Sequence, residues 1–108
     1  MDQEDMQKEL MQMQKSQQQM QQVMVQKEET KTDIAEAKQA LKEIEGSEGA
    51  VYRSIGNIMV EKDRDKLQEE LEERVEDLEV REKSLEKQEK RLQQKLEETR
   101  EKFSQLQG

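Results

Sequence analysis

Few residues in this sequence could do acid–base or nucleophilic chemistry. It has five serines but no His and no Cys. No imidazole could therefore activate a serine hydroxyl, and no thiolate could attack a substrate or bind a metal ion. The four glycines, at positions 46, 49, 56 and 108, do not form a phosphate-binding loop. The many carboxylates are predicted to lie on solvent-exposed helical faces, where no pair of them would be shielded from water as a catalytic pair usually is. The sequence therefore predicts neither an enzyme nor a protein that holds a cofactor.

The composition limits the class of fold. Of 108 residues, 43% are charged and 30% hydrophobic, which is too few apolar residues for a globular core. Two classes remain: a disordered acidic chain, or long helices that bury one narrow stripe. The net charge of −8 disfavours binding to nucleic acid. The polar start MDQEDMQKEL does not resemble a signal peptide, and no apolar run would span a membrane, so we expect a cytoplasmic protein.

Apolar residues recur every seven positions through the second half of the chain. One row is interrupted at Thr99, and the other carries two glutamates. The rows are Leu71, Leu78, Leu85, Leu92 and Leu106, and Val75, Glu82, Glu89, Leu96 and Phe103. Acidic residues precede basic ones by four positions, as at Glu70 and Arg74, which supports an exposed helix. This pattern favours a coiled-coil helix over disorder.

The first half has a similar pattern with a break. One register runs through Met6, Leu10, Met13, Gln17, Met20 and Met24, and the next through Ile34, Ala37, Leu41 and Ile44. A shorter step near Lys27 and Thr30 separates the two registers. The pattern predicts a coiled-coil seam with one phase slip.

Residues that interrupt helices divide the chain into three parts: an N-terminal coiled-coil helix (1–45), a β-hairpin (46–64) and a C-terminal coiled-coil helix (65–108). Gly46 and Gly49 are predicted to end the first helix in the left-handed conformation, and Asp65 with Gln68 fits a capping box that opens the second.

The two predicted helices, which we call the arms, have equal lengths. They therefore predict an antiparallel coiled-coil hairpin in which the residue numbers of two facing residues add up to about 110. Lys27 would then lie near Glu82. We predict that these two charges pair in or beside the seam, and the alternative is that both side chains extend into solvent.

The stretch AVYRSIGNIMVEKD, residues 50–63, predicts a β-hairpin with a type II′ turn at Gly56-Asn57. Pairing from this turn sets Ile55 opposite Ile58, with Arg53 opposite Val60 and Val51 opposite Lys62. A lone two-stranded hairpin is marginally stable in water, and its free edges invite pairing. We therefore expect several subunits to join their hairpins into a β-barrel. The alternative is a hairpin that lies on the end of the coiled coil as a cap.

These features together resemble the β-class subunits of prefoldin. Two matched coiled-coil arms joined by the single hairpin VYRSIGNIMVEKD carry the resemblance over essentially the whole chain. It implies a mainly α-helical subunit in a hetero-hexamer of two α-class and four β-class subunits, an arrangement of the archaeal type. It also implies capture of unfolded proteins at the tips of the coiled coils and transfer to a group II chaperonin without ATP. The assembly residues would be Val51, Tyr52, Ile55, Gly56, Ile58 and Val60.

Methionine is concentrated near the start of the chain, and its flexible side chain suits promiscuous binding. We predict that seven apolar residues near the two ends of the chain bind unfolded proteins: Met6, Leu10, Met11, Met13, Leu96, Phe103 and Leu106. The alternative is that they are ordinary seam residues. Two other functions stay open: a structural coiled-coil tether or spacer without client binding, and an acidic adaptor helix for a regulatory complex.

Overall fold

The computed structural model describes residues 2–107 as two long helices with a β-hairpin between them. Helix α1 spans Gln3–Glu45, strands β1 and β2 span Val51–Ile55 and Ile58–Lys62, and helix α2 spans Arg64–Gln107. The predicted fold of two helical arms with a central hairpin is confirmed. Within residues 2–107, neither helix has a stretch hydrophobic enough to cross a bilayer.

Helix α2 is capped by Asp63. The Oδ1 atom of Asp63 accepts hydrogen bonds from the main-chain nitrogens of Asp65 at 2.9 Å and Lys66 at 3.4 Å. The predicted capping box of Asp65 with Gln68 is wrong, because Asp65 already lies inside the helix. Gln68 instead donates to the Glu72 carboxylate, 3.4 Å away on the next turn.

The end of α1 differs from the prediction at one of its two glycines. The main-chain nitrogen of Gly46 donates to the Lys42 oxygen at 3.0 Å, which continues the helical pattern, and Gly46 does not have a positive φ. Gly49 does adopt the left-handed region, with φ of 93°. The hydroxyl of Ser47 donates to the Ile44 oxygen at 3.2 Å. The left-handed conformation is therefore confirmed at Gly49 and wrong at Gly46, but Gly49 lies beyond the end of α1 at Glu45 and does not terminate the helix.

The chain divides into two compact units, and each helix contributes to both. One unit comprises residues 2–29 and 83–107, and the other comprises Thr30–Glu82. In the first unit, ion pairs join Glu9 to Lys102 (3.5 Å) and Lys27 to Glu89 (3.0 Å). The residue number of the partner in α2 decreases from 102 to 89 as that of the α1 residue increases from 9 to 27. The two helical segments of this unit therefore run antiparallel.

The buried face of α1 follows one uninterrupted heptad pattern. One fully buried row has residues seven apart, at Ser16, Val23, Thr30, Ala37 and Ile44. The companion row is half-buried except for the buried Ile34, and comprises Met13, Met20, Lys27, Ile34 and Leu41. Ser16 and Thr30 are only 2% and 3% exposed, whereas Met24 is 53% exposed and Gln17 is exposed. The predicted phase slip is therefore wrong, because small hydroxyl residues occupy seam positions that hydrophobicity alone does not identify.

The buried face of α2 follows the two predicted rows as far as Phe103, whereas Leu106 at the end of one row is exposed. Leu85, Leu96 and Thr99 are buried, and Glu82 and Glu89 are half-buried. Among the described residues, every buried side-chain nitrogen or oxygen has a hydrogen-bond partner. Polar residues are therefore accommodated in the seam without leaving an unsatisfied group.

Lys27 pairs with Glu89, one heptad beyond the predicted partner Glu82. Both residues belong to seam rows, and their side chains are 22% and 27% exposed, so the pair is partly buried. Helical side chains lean toward the N-terminus of their own helix. In an antiparallel pair, side chains that lean in this way meet when the sum of their residue numbers is larger than the sum for two residues at the same height along the helices. This favours Glu89 over Glu82 as the partner of Lys27.

Candidate functional site

The register of the hairpin is the predicted one. Val51 pairs with Lys62, Arg53 with Val60, and Ile55 with Ile58. Gly56 has φ of 59°, and no residue other than glycine in the described part of the chain has a positive φ. This combination fits a type II′ turn, since type I′ would also need a positive φ at Asn57.

Both faces of the hairpin carry exposed apolar side chains. Because neighbouring residues of a strand alternate, Ile55, Ile58 and Val60 share one face while Tyr52 and Met59 lie on the other. Their exposure runs from 37% for Val60 to 66% for Ile58. A two-stranded sheet of this kind leaves apolar surface in water that a stable protein usually buries against another element.

The base of the hairpin is held by two arginines. Arg53 pairs with Glu70 of α2 at 3.2 Å. The guanidinium of Arg64 donates to the main-chain oxygen of Ile44, to the Ser47 hydroxyl at 3.3 Å and to the main-chain oxygen of Gly49 at 2.6 Å. One side chain at the start of α2 thus fixes the end of α1 and the segment that leads into β1.

An open groove of about 780 Å³ lies between β1 and the adjoining parts of the two helices, inside the unit Thr30–Glu82. Its apolar lining includes Ile44, Val51, Leu67 and Leu71. No group of three or more acidic side chains that could hold a metal ion occurs among residues 2–107. The groove therefore offers apolar surface beside the ion pair of Arg53 with Glu70.

The apolar residues predicted to bind clients differ in accessibility. Met6, Leu10, Met11 and Leu106 are exposed, with Met11 at 68%, whereas Met13 and Phe103 are half-buried. Leu96 is 9% exposed and belongs to the seam, so a client would reach it only after local opening of the helices. The start of α1 and the end of α2 lie side by side, as the ion pair of Glu9 with Lys102 demonstrates.

A family model described as "Prefoldin subunit" matches residues 7–108. The chain belongs to the prefoldin subunit family. Its structure is similar to the crystal structure of the prefoldin beta subunit from Thermococcus strain KS-1, with a TM-score of 0.82 and 39% sequence identity. The match covers 94% of this chain and 91% of that one. No curated protein matches the sequence significantly.

The predicted resemblance to prefoldin is thus confirmed, and the chain is a subunit of a prefoldin-type chaperone. The fold implies assembly with other prefoldin subunits, and the exposed apolar residues of the hairpin are consistent with this. The assignment of residues 46–64, and of Gly56 and its five apolar neighbours, to that assembly stays a prediction. The role of the helix-end residues in client binding also stays a prediction.

Sequence reasoning missed several residues of these surfaces. Met59 is 64% exposed and shares a hairpin face with Tyr52, but it is not among the predicted assembly residues. Met24, Val25 and Val80 are exposed apolar residues on the helices. Arg64 has no periodic signal, and its only indication in the sequence is its position directly after the cap residue Asp63.

Proposed function

We propose that this chain is a β-class subunit of an ATP-independent chaperone, made of two α-class and four β-class subunits, that captures unfolded polypeptides and transfers them to a group II chaperonin in the cytoplasm. The observation that carries the proposal is the exposure of large apolar side chains on both faces of a two-stranded hairpin. The relationship to the Thermococcus prefoldin beta subunit supports the same conclusion.

The surface of the hairpin supports its proposed role in assembly. Within residues 2–107, strands β1 and β2 pair only with each other, so each has an edge with unpaired main-chain groups. Strands from neighbouring subunits would pair with these edges and cover Tyr52, Ile55, Ile58 and Met59. Each such side chain contributes about 1–2 kcal/mol if it becomes fully buried. A barrel built from several hairpins would thereby remove both the free edges and the apolar surface.

Client binding is proposed for the start of α1 and the end of α2. Met6, Leu10, Met11 and Leu106 present apolar side chains to solvent there. The methionine side chains are flexible and polarizable, so they adapt to segments of different shape. Terminal helical turns also have few neighbours and open readily, which would extend the apolar surface to Met13 and Phe103.

The test combines the mass of the assembly with protection of an unfolded client. Mixed with an α-class partner, the chain should form a hexamer by native mass measurement and should suppress aggregation of a chemically unfolded protein without nucleotide. The variant Ile58→Asp should fail to form the hexamer, whereas the control variant Ser84→Asp, at an exposed polar position of α2 outside the hairpin, should assemble. A stable dimer of this chain alone that protects no client would instead indicate a coiled-coil tether or spacer.

A further inference from the structure

One segment of α1 contains no charged residue. Positions 16–26 read SQQQMQQVMVQ, eleven successive uncharged residues in a chain that is 43% charged. The solvent-exposed faces of coiled-coil helices usually carry charges, which keep them soluble. The proposed roles of the hairpin and of the helix ends leave this segment unexplained.

The uncharged residues form a continuous stripe on one side of α1. The seam of this unit runs through positions 9, 13, 16, 20, 23 and 27. The heptad repeat then places the positions that lie one, four and five residues after 6, 13 and 20 on one flank and the outer face. We call this set the neutral stripe, and all of its nine members are exposed: Gln7, Leu10, Met11, Gln14, Gln17, Gln18, Gln21, Met24 and Val25. At 1.5 Å per residue the stripe is about 27 Å long.

The other flank of the same helical segment differs in charge. It carries Asp5, Lys8, Lys15 and Glu29, together with glutamines. The neutral stripe is also bounded along the helix, since Glu4 precedes it and Glu28 follows it on the same side. Over residues 7–25 the stripe carries no charge, whereas the other flank carries Lys8 and Lys15; within residues 16–26 both sides of the helix are uncharged.

We propose that the neutral stripe binds an extended, uncharged segment of an unfolded polypeptide. This inference rests on the proposed function and extends the client surface from the helix ends along the side of α1. A charged segment would lose hydration at the stripe and find no opposite charge there. An uncharged segment avoids that cost, so the stripe should select clients by the local absence of charge.

The glutamines favour an extended client over a helical partner. Each glutamine amide offers donors and an acceptor, and an extended chain presents free main-chain N–H and C=O groups to them. In a helix, the main-chain N–H and C=O groups already bond to each other. A helical partner would therefore cover the glutamine amides while offering them few hydrogen-bond partners. The stripe therefore suits unfolded chain better than another coiled coil.

The apolar members of the stripe set the spacing of the client residues. Leu10 and Met11 lie at one end, and Met24 and Val25 at the other, about 21 Å away at 1.5 Å per residue. An extended chain covers that distance in about six residues at about 3.3 Å each. Residues six apart point to the same face of a strand, so two apolar client side chains at this spacing would contact both pairs at once.

The experiment measures binding of a labelled ten-residue peptide by fluorescence anisotropy. The peptide consists of Ser, Thr and Asn with two leucines six positions apart, and a second peptide has two glutamates between the leucines. The protein is the full chain assembled with an α-class subunit. We expect the uncharged peptide to bind about tenfold more tightly than the acidic one, a factor that corresponds to about 1.4 kcal/mol.

Two pairs of substitutions separate the stripe from general charge effects. Gln14→Glu with Gln21→Glu adds two charges within the stripe, and Gln12→Glu with Gln19→Glu adds the same charges at the same spacing on the other flank. All four positions are exposed, and Gln and Glu have similar helix propensities, so both variants should fold. The first pair should weaken binding of the uncharged peptide about tenfold, and the second pair by less than about twofold.

Equal effects of the two pairs, or no binding of the peptide to the unmodified assembly, would overturn the inference. A change in the mass of the assembly caused by the stripe pair alone would identify the stripe as a subunit interface and would also overturn it. Suppression of client aggregation is measured on the same proteins. Loss of suppression in both variants and in the unmodified assembly would reject the proposed function itself, whereas intact suppression with equal peptide affinities would reject only the stripe.

Discussion

The guanidinium of Arg64, in the first turn of α2, donates a hydrogen bond to the main-chain oxygen of Ile44, in the last turn of α1. The last carbonyl groups of a helix lack partners within it and carry partial negative charge, so a cation is favourable at this position. The same guanidinium also binds the main-chain oxygen of Gly49. Arg64 therefore joins the end of one arm, the start of the other and the segment that enters the hairpin.

Replacing Arg64 with Ala should lower the free energy of unfolding by about 1–3 kcal/mol, because it leaves a charge-assisted set of hydrogen bonds unmade. Lysine at this position should recover part of the loss, since a single ammonium group replaces a planar fork of donors. Urea denaturation followed by circular dichroism measures both. Arg81→Ala, at an exposed position of the same helix, is the control. Equal stability of the Arg64 and Arg81 variants would contradict this role.

The ion pair of Lys27 with Glu89 should contribute more than a surface pair. Its side chains are 22% and 27% exposed, whereas those of the comparable pair Lys38 and Glu79 are 59% and 49% exposed. Double-mutant cycles to Ala should give a coupling of about 0.5–1 kcal/mol for the first pair and less for the second. Added salt should remove the second coupling first, because exposed charges are screened more strongly. Larger coupling in the exposed pair would contradict the assignment.

The sequence was sufficient to predict the elements, and periodicity explains why. Leucines at every seventh position identify α2 without ambiguity, and the Gly56-Asn57 turn determines the strand register that the structure has. The seam of α1 was harder to predict. Ser16 and Thr30 occupy buried positions while Met24 is exposed, so hydrophobicity pointed to the wrong side of the helix there.

Contacts made by long polar side chains were not predictable from periodicity. By residue type alone, Asp63 and Asp65 are equally plausible helix caps. In the structure, the carboxylate of Asp63 accepts a hydrogen bond from the main-chain N–H of Asp65, so Asp63 is the cap. Arg64 reaches three acceptors that lie 15 to 20 positions earlier in the chain. The partner of Lys27 depends on the direction in which side chains lean, which shifts it by one heptad to Glu89. Such contacts require three-dimensional geometry.

Gly56→Ala should destabilise the hairpin turn by about 1 kcal/mol. Nothing lies within 4 Å of the position where the new Cβ would stand, so the cost comes from the φ of 59°, which residues with a side chain adopt unfavourably. Because the proposed assembly uses the hairpin, the variant should also form hexamers at a higher subunit concentration, measured by native mass. Gly46→Ala, at a glycine without a positive φ, is the control. Assembly at the same concentration for both variants would show that the turn geometry has no part in it.

Replacing the exposed helix-end residues Met6, Leu10 and Leu106 with Gln should reduce suppression of client aggregation several-fold while leaving hexamer formation unchanged. The substitutions remove apolar surface at the proposed capture site, keep the chain length and introduce a residue with good helix propensity. Deleting residues 1–10 and 101–108 should have a larger effect in the same direction. Light scattering of an aggregating client measures suppression, and native mass measures assembly. Gln replacement of Val80, an exposed apolar residue of α2 in the other unit, is the matched control. If the helix-end variant protects the client as well as the Val80 variant does, clients are held elsewhere on the subunit.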